Sequence, residues 1–158
     1  MSAQHLSRAA YDRLAAELTD LTTRGRIEVA NKIETARLLG DLSENGDYHA
    51  AKDEQGHMEG RIRQLEYLIE EAVIVEAATD GTVALGSVVT VLFEGDPESD
   101  AQRYLIGHIE EQHPDFEVMS DKSPLGAALL GHAAGDTVLY ATPTGAELQV
   151  KILQVELP

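Results

Sequence analysis

Apolar residues follow two different periods along the chain, and the change falls near residue 78. Over residues 48–72 the apolar-leaning positions recur at alternating steps of three and four, which is the spacing of a heptad seam on a helix. A matching seam starts at Tyr11 and slips in register near Gly25. Neither stretch contains proline. The pattern predicts two long helices that fold back on each other, so that residues 1–78 form an antiparallel coiled-coil hairpin.

Short β-branched runs separated by turn residues dominate the rest of the chain. The predicted strands lie at residues 87–93, 102–106, 116–119, 137–141 and 147–153. Ser123 and Pro124 precede a short helix predicted at residues 125–130. Residues 79–158 are therefore expected to form a small antiparallel β domain with one helix. The predicted fold class is α+β.

Composition limits the classes of function that the chain can have. With no cysteine among 158 residues, disulfides and thiolate metal sites are excluded. No apolar run approaches the roughly 20 residues of a membrane span, so a cytoplasmic protein with no membrane partner is expected. A monomer is also expected. The net charge of −16 argues against a broad footprint on duplex DNA. Nine of the twelve Lys and Arg residues lie in residues 1–79, so any polyanion contact is expected there.

The turn between the two predicted helices carries the polar motif "GDLSENGDYH", residues 40–49. One interpretation is a capping box for the second helix, with Asp41 as N-cap and Glu44 reaching back. Another is calcium, because the motif places oxygen ligands at positions 1, 3, 5 and 7 of an EF-hand-like loop. Position 12, where a glutamate should close the coordination sphere, is Lys52, and its ammonium group would oppose the ion.

A third interpretation is that Asp41 and Glu44 are ligands of a metal ion that another protein also binds. Two carboxylates hold Mg²⁺ only weakly, because the ion keeps its waters and prefers to be shared with phosphates and other acids. The free chain is then expected to bind no metal stably. The pair becomes useful at a site that already holds one metal ion and needs a second for phosphodiester hydrolysis.

Two longer segments resemble a known family. The segment "LGDLSENGDYHAAKDEQGHMEGRIRQLE", residues 39–66, and the segment "SPLGAALLG", residues 123–131, are similar to the GreA-type bacterial transcript cleavage factors. The resemblance covers essentially the whole chain. It implies a transcription elongation factor whose hairpin enters the secondary channel of RNA polymerase, while an FKBP-like C-terminal domain grips the channel rim. Such a factor stimulates the polymerase to cleave its own backtracked RNA and is not a nuclease alone.

The resemblance also implies roles for individual residues. Asp41 and Glu44 would hold a Mg²⁺ ion shared with the polymerase active site, and Arg37 and Lys52 would face the RNA 3′ end, although each could equally be a solvated helix charge. The loop implied to dock on the channel rim contains Asp121, Ser123, Pro124 and Leu125. This loop also has the form of an ordinary strand-to-helix connection, with a capping serine and a proline at the first helical position.

Two other functions stay open. A regulator or inhibitor could use the same docking on polymerase without promoting cleavage. An FKBP-like half could also act as a proline isomerase. Such an enzyme needs a pocket lined by aromatic residues, and these make up only 4% of the chain. Ser43 stands where the family pattern has a lysine, which leaves the basic patch near the tip thin.

Overall fold

The computed structural model describes residues 3–41, 44–76 and 80–158, which form two compact units. One unit contains residues 11–72, and the other contains residues 3–10 together with the chain from residue 73 onward. The division predicted between residues 78 and 79 stays a prediction, because residues 77–79 lie outside the described ranges. Within those ranges, every helix is too short or too polar to cross a lipid bilayer.

The first unit is the predicted helical hairpin. Its first arm consists of helix α1, Arg8–Asp20, of which residues 8–10 belong to the second unit, a π-helical turn, Leu21–Gly25, and helix α2, Arg26–Arg37. Its second arm is helix α3, Gly46–Glu70. Helices α2 and α3 pack along the predicted seam, where the buried residues are Val29, Ile33 and Ala51. The seam continues along α3 with Ile62 and Leu65, which are 1% and 0% exposed.

The slip in the seam has a structural cause. The turn at residues 21–25 is π-helical, so it holds one residue more than an α-helical turn and shifts the apolar stripe by one position. The hydroxyls of Thr22 and Thr23 donate to the carbonyls of Leu18 and Thr19, at 2.8 and 2.7 Å. Gly25 allows the arms to approach closely there, since a Cβ at this position would lie 3.1 Å from the sulfur of Met58.

Two three-residue strands, β1 at Gln4–Leu6 and β2 at Ala72–Ile74, form a small sheet that the sequence pattern did not predict. The backbone N–H of Val75 extends this pairing by donating to the Leu6 carbonyl at 2.9 Å. Because of this pairing, residues 3–10 belong to the second unit and not to the hairpin.

The second unit is built on a five-stranded mixed sheet, which confirms the α+β class. Its strands are β3, Val88–Phe93; β4, Gln102–Gly107; β5, Glu117–Ser120; β6, Thr137–Ala141; and β7, Glu147–Glu156. Their order is β5-β4-β3-β7-β6, and all pairs are antiparallel except β4 and β5, which are parallel. The predicted short helix is α4, Pro124–Leu129, which buries Leu125 and Leu129 against the sheet.

Candidate functional site at the hairpin tip

The tip of the hairpin is held closed by Asn45. Its side-chain oxygen accepts a hydrogen bond from the backbone N–H of Tyr48 at 3.0 Å, so Asn45 is the N-cap of α3. Its side-chain nitrogen donates to the carbonyl of Ala36 at 2.5 Å, in the last turn of α2. One side chain therefore satisfies backbone groups at both helix ends and fixes where the motif begins and ends.

Two interpretations of the motif are wrong in this geometry. Asp41 does not cap α3, because the cap is Asn45 and the helix begins at Gly46. An EF-hand-like loop is excluded for the same reason. Residues 46–52 would form the second half of the twelve-residue loop, but they are helical and cannot wrap around an ion.

Asp41 and Glu44 lie together at the exposed end of the hairpin. Both carboxylates line one shallow depression, which is also bordered by Leu39 and Asp47. The Glu44 N–H lies 3.4 Å from the Asp41 carbonyl, while Leu42 and Ser43 between them fall outside the described residues. Within the described chain, no group of three His, Asp or Glu side chains is arranged to hold a metal ion. Two accessible carboxylates fit an ion whose other ligands come from a partner.

The cations along the hairpin differ in whether a carboxylate neutralises them. Away from the tip, three basic side chains bind acids across the two arms at 2.8–2.9 Å: Arg61 with Glu17, Arg26 with Glu59, and Lys32 with Glu54. Nearer the tip, the Lys52 ammonium donates to the neutral Gln55 side chain at 2.9 Å and to no carboxylate within the described residues. The Arg37 side chain makes no ion pair or hydrogen bond within the described residues. Arg37 and Lys52 therefore carry positive charge that no carboxylate of the described chain binds.

The loop predicted to dock on polymerase is tightly integrated into the second unit. The Ser123 hydroxyl accepts from the N–H of Gly126 at 3.1 Å and donates to the Ser120 carbonyl at 2.7 Å, and Pro124 is the first residue of α4. The Asp121 N–H donates to the Gly107 carbonyl at 3.0 Å. Leu125 is only 8% exposed and packs in the core, and its assignment to the docking loop stays a prediction.

Two residues of the tip had no assigned role. Asn45 was recognised only as part of the motif, although its spacing to Tyr48 is the signal of an N-cap. Leu39 is 66% exposed and borders the acid pair. The signal for Leu39 is its position in the sequence, directly before the polar motif and outside the heptad seam.

Comparisons with known proteins identify the family to which the chain belongs. Residues 4–74 match the family described as "Transcription elongation factor, N-terminal", and residues 78–157 match "Transcription elongation factor, GreA/GreB, C-term". The chain is 48% identical over 152 residues to transcription elongation factor GreA of Streptomyces coelicolor, covering 96% of this chain and 92% of that protein. It is 47% identical over 154 residues to the GreA of Rhodococcus erythropolis, with 96% and 93% covered. The crystal structure of the GreA factor homolog Gfh1 of Thermus thermophilus is 28% identical, with 98% and 99% covered and a TM-score of 0.43. The chain belongs to the GreA/GreB family of transcription elongation factors.

Proposed function

We propose that this chain binds RNA polymerase, places the hairpin tip in the secondary channel and stimulates cleavage of backtracked RNA. The observation that carries the proposal is the acid pair. Asp41 and Glu44 are exposed on one depression at the end of the hairpin, although the cap of α3 is a different residue. Both acids are accessible from solvent, and neither is the residue that caps α3.

The depression suits a metal ion that this chain binds jointly with a partner. Asp41 and Glu44 would supply two oxygen ligands, and polymerase acids and an RNA phosphate would supply the others. Mg²⁺ bound in this way would lower the pKa of an attached water and neutralise charge on the phosphate. The free chain alone is not expected to cleave RNA, because an exposed tip cannot exclude water or preorganise a transition state.

Arg37 and Lys52 are proposed to attract the RNA 3′ end. The hairpin cations away from the tip that bind acids across the arms contribute little net field, whereas these two face no carboxylate within the described residues. A cation near a phosphate favours binding without reading sequence, so we expect contact with RNA of any sequence.

The second unit is proposed to dock on the rim of the channel through the connection between β5 and α4. Asp121, Ser123 and Pro124 remain candidates there, and Leu125 acts indirectly by fixing α4 in the core. We expect the chain to work as a monomer, which light scattering after size-exclusion chromatography would check.

The decisive experiment adds the protein to a stalled, backtracked transcription complex whose RNA is labelled at its 5′ end. The expected result is a shortened RNA that polymerase can extend again. The same RNA incubated with the protein but without polymerase should stay intact. A protein that competes for polymerase yet leaves the RNA at full length would be a channel regulator, and cleavage without polymerase would identify a nuclease.

A further inference from the structure

A groove of about 450 Å³ lies on the side of the hairpin between α2 and α3, next to the tip. Its apolar lining consists of Leu39 and three alanines, Ala36, Ala50 and Ala51. Its rim carries the side chains of Asn31 and Thr35. Neither of these two side chains makes a hydrogen bond within the described residues, so both keep their donors and acceptors for a ligand.

The groove is continuous with the acidic depression. Leu39 and Asp47 border both, whereas Leu38, which is 78% exposed, borders neither. Single exposed leucines are ordinary on protein surfaces. The position of Leu39, between an apolar groove and a pair of accessible carboxylates, is what sets it apart from Leu38.

Charge indicates which part of a ligand the groove can hold. Lys32 and Glu54 lie on the rim but bind each other at 2.9 Å, and the remaining charged group is the carboxylate of Asp47. A phosphate would find no uncompensated cation in this groove and one repelling acid. A flat, uncharged group with apolar faces and a hydrogen-bonding edge fits better, and an unpaired nucleobase has this chemistry.

We propose that the groove takes an unpaired base of the extruded RNA, with the base packed on Leu39 and its edge facing Thr35, one helical turn away. This inference rests on the proposed function, since that function brings single-stranded RNA to the tip. Leu39 is then a positioning residue. The Leu39 side chain contacts the base, and the phosphate of the same nucleotide then lies at the depression formed by Asp41 and Glu44.

The test measures cleavage at saturating protein on complexes backtracked by two nucleotides. The extruded RNA is either intact or carries an abasic residue at one extruded position or the other. On intact RNA, Leu39→Ala is expected to slow cleavage about fivefold, because it removes the apolar contact with the base; this factor corresponds to about 1 kcal/mol. On abasic RNA, the wild type should slow by the same factor and Leu39→Ala should cost nothing more.

Leu38→Ala is the matched control, because it removes the same side chain one residue away and outside both depressions. Its cleavage rate should equal that of the wild type, and competition for polymerase and thermal stability should be unchanged in both variants. A fivefold loss that persists on abasic RNA would mean that Leu39 touches polymerase, and an equal loss in Leu38→Ala would mean a general effect on the tip. Either result, or a wild type indifferent to base removal, overturns the inference. A wild type that stimulates no cleavage refutes the proposed function instead.

Discussion

Helices α3 and α4 begin in the same way, yet their surroundings differ. In each, a short polar side chain accepts from the N–H three residues later: Asn45 from Tyr48 at 3.0 Å, and Ser123 from Gly126 at 3.1 Å. Around α4, the neighbours Leu125 and Gly126 are buried. Around α3, Asp41 and Glu44 are exposed. Burial therefore accounts for the residues around α4, while at the tip hydrogen bonds account for Asn45 and the two acids stay exposed.

The largest expected effect is on activity at the tip. Asp41→Asn and Glu44→Gln should each lower stimulated cleavage about 100-fold, because each removes a charged ligand from the shared ion. The double variant should be little worse, since residues that act as a unit are not additive. Cleavage rates on a backtracked complex, with Mn²⁺ added to drive metal into the weakened site, provide the measurement.

These variants should keep the melting temperature and polymerase affinity of the wild type, because neither acid caps α3. Asp53→Asn is the matched control, as it removes an exposed acid of α3 that lies outside both tip depressions. Additive losses, or binding that falls in step with cleavage, would return Asp41 and Glu44 to a structural role.

Much of the fold was predictable from local pattern. The heptad seam identified both arms and placed the π-helical turn within a few residues of Gly25. The strands of the larger sheet agree with β-branched runs that have turn residues on both sides. The two strands at Gln4–Leu6 and Ala72–Ile74 could not be found, because three residues carry no measurable period and their pairing joins distant parts of the chain. The parallel pairing of β4 and β5 is likewise a tertiary choice that spacing does not specify.

The candidate site was only partly predictable. The spacing of Asp41 and Glu44 resembles a capping box as closely as it resembles a ligand pair, and only the start of α3 at Gly46 separates the two. The burial of Leu125 was not visible in its motif, because a helix of one or two turns has no clear apolar period. Asn45 could be recognised as a motif residue, but its bond to Ala36 depends on how the two arms meet.

Replacing glycine by alanine tests how tightly the connection between β5 and α4 is packed. A Cβ on Gly126 would lie 2.0 Å from the Ser120 carbonyl oxygen, so Gly126→Ala should force a backbone shift and cost about 1–3 kcal/mol. Gly56 lies in α3 with no atom within 4 Å of such a Cβ, so Gly56→Ala should stabilise by about 0.5–1 kcal/mol. Denaturant unfolding gives both free energies. Equal changes of the same sign would show that the connection is not tightly packed.

The structural role of Asn45 at the tip can be tested separately from the role of Asp41 and Glu44. Asn45→Ala removes the bonds to Tyr48 and Ala36 and should cost about 1–2 kcal/mol. Asn45→Asp keeps an acceptor for Tyr48 but has no donor for Ala36, so its loss should be intermediate. Urea unfolding of the three proteins gives this order. An Asn45→Asp variant as unstable as Asn45→Ala would assign the whole effect to the Ala36 bond.

At the start of α1, the acid Glu111 is expected to contribute to stability and not to stimulated cleavage, which is the opposite of Glu44. Ser7 precedes α1 and its hydroxyl accepts from the Ala10 N–H at 3.1 Å, while Glu111 accepts from the Ser7 N–H and hydroxyl at 2.8 and 2.7 Å. Glu111→Gln should therefore cost about 1 kcal/mol of stability and leave stimulated cleavage unchanged at a temperature where the variant is folded. Glu44→Gln should do the reverse. Thermal unfolding and cleavage measured on both variants give this double dissociation, and a loss of both properties in either one would break it.

The smallest expected effect concerns the acids along the hairpin, which bind cations of this chain. The Arg26 guanidinium donates to Glu59 at 2.9 and 3.0 Å and holds the pKa of that carboxyl below its ordinary value. A carboxyl with a lowered pKa in the folded state stabilises the fold above its unfolded pKa, and this contribution is lost as pH falls through the folded value. Glu59→Gln should therefore be slightly less stable than wild type at pH 7, with the difference shrinking as pH falls below the ordinary value of 4.5. Because the two side chains are 47% and 33% exposed, added salt should shrink it as well. Melting temperatures from pH 7 to below 4 at low and high salt provide the check, and a difference that grows on acidification would show that Arg26 does not stabilise the charged form of Glu59.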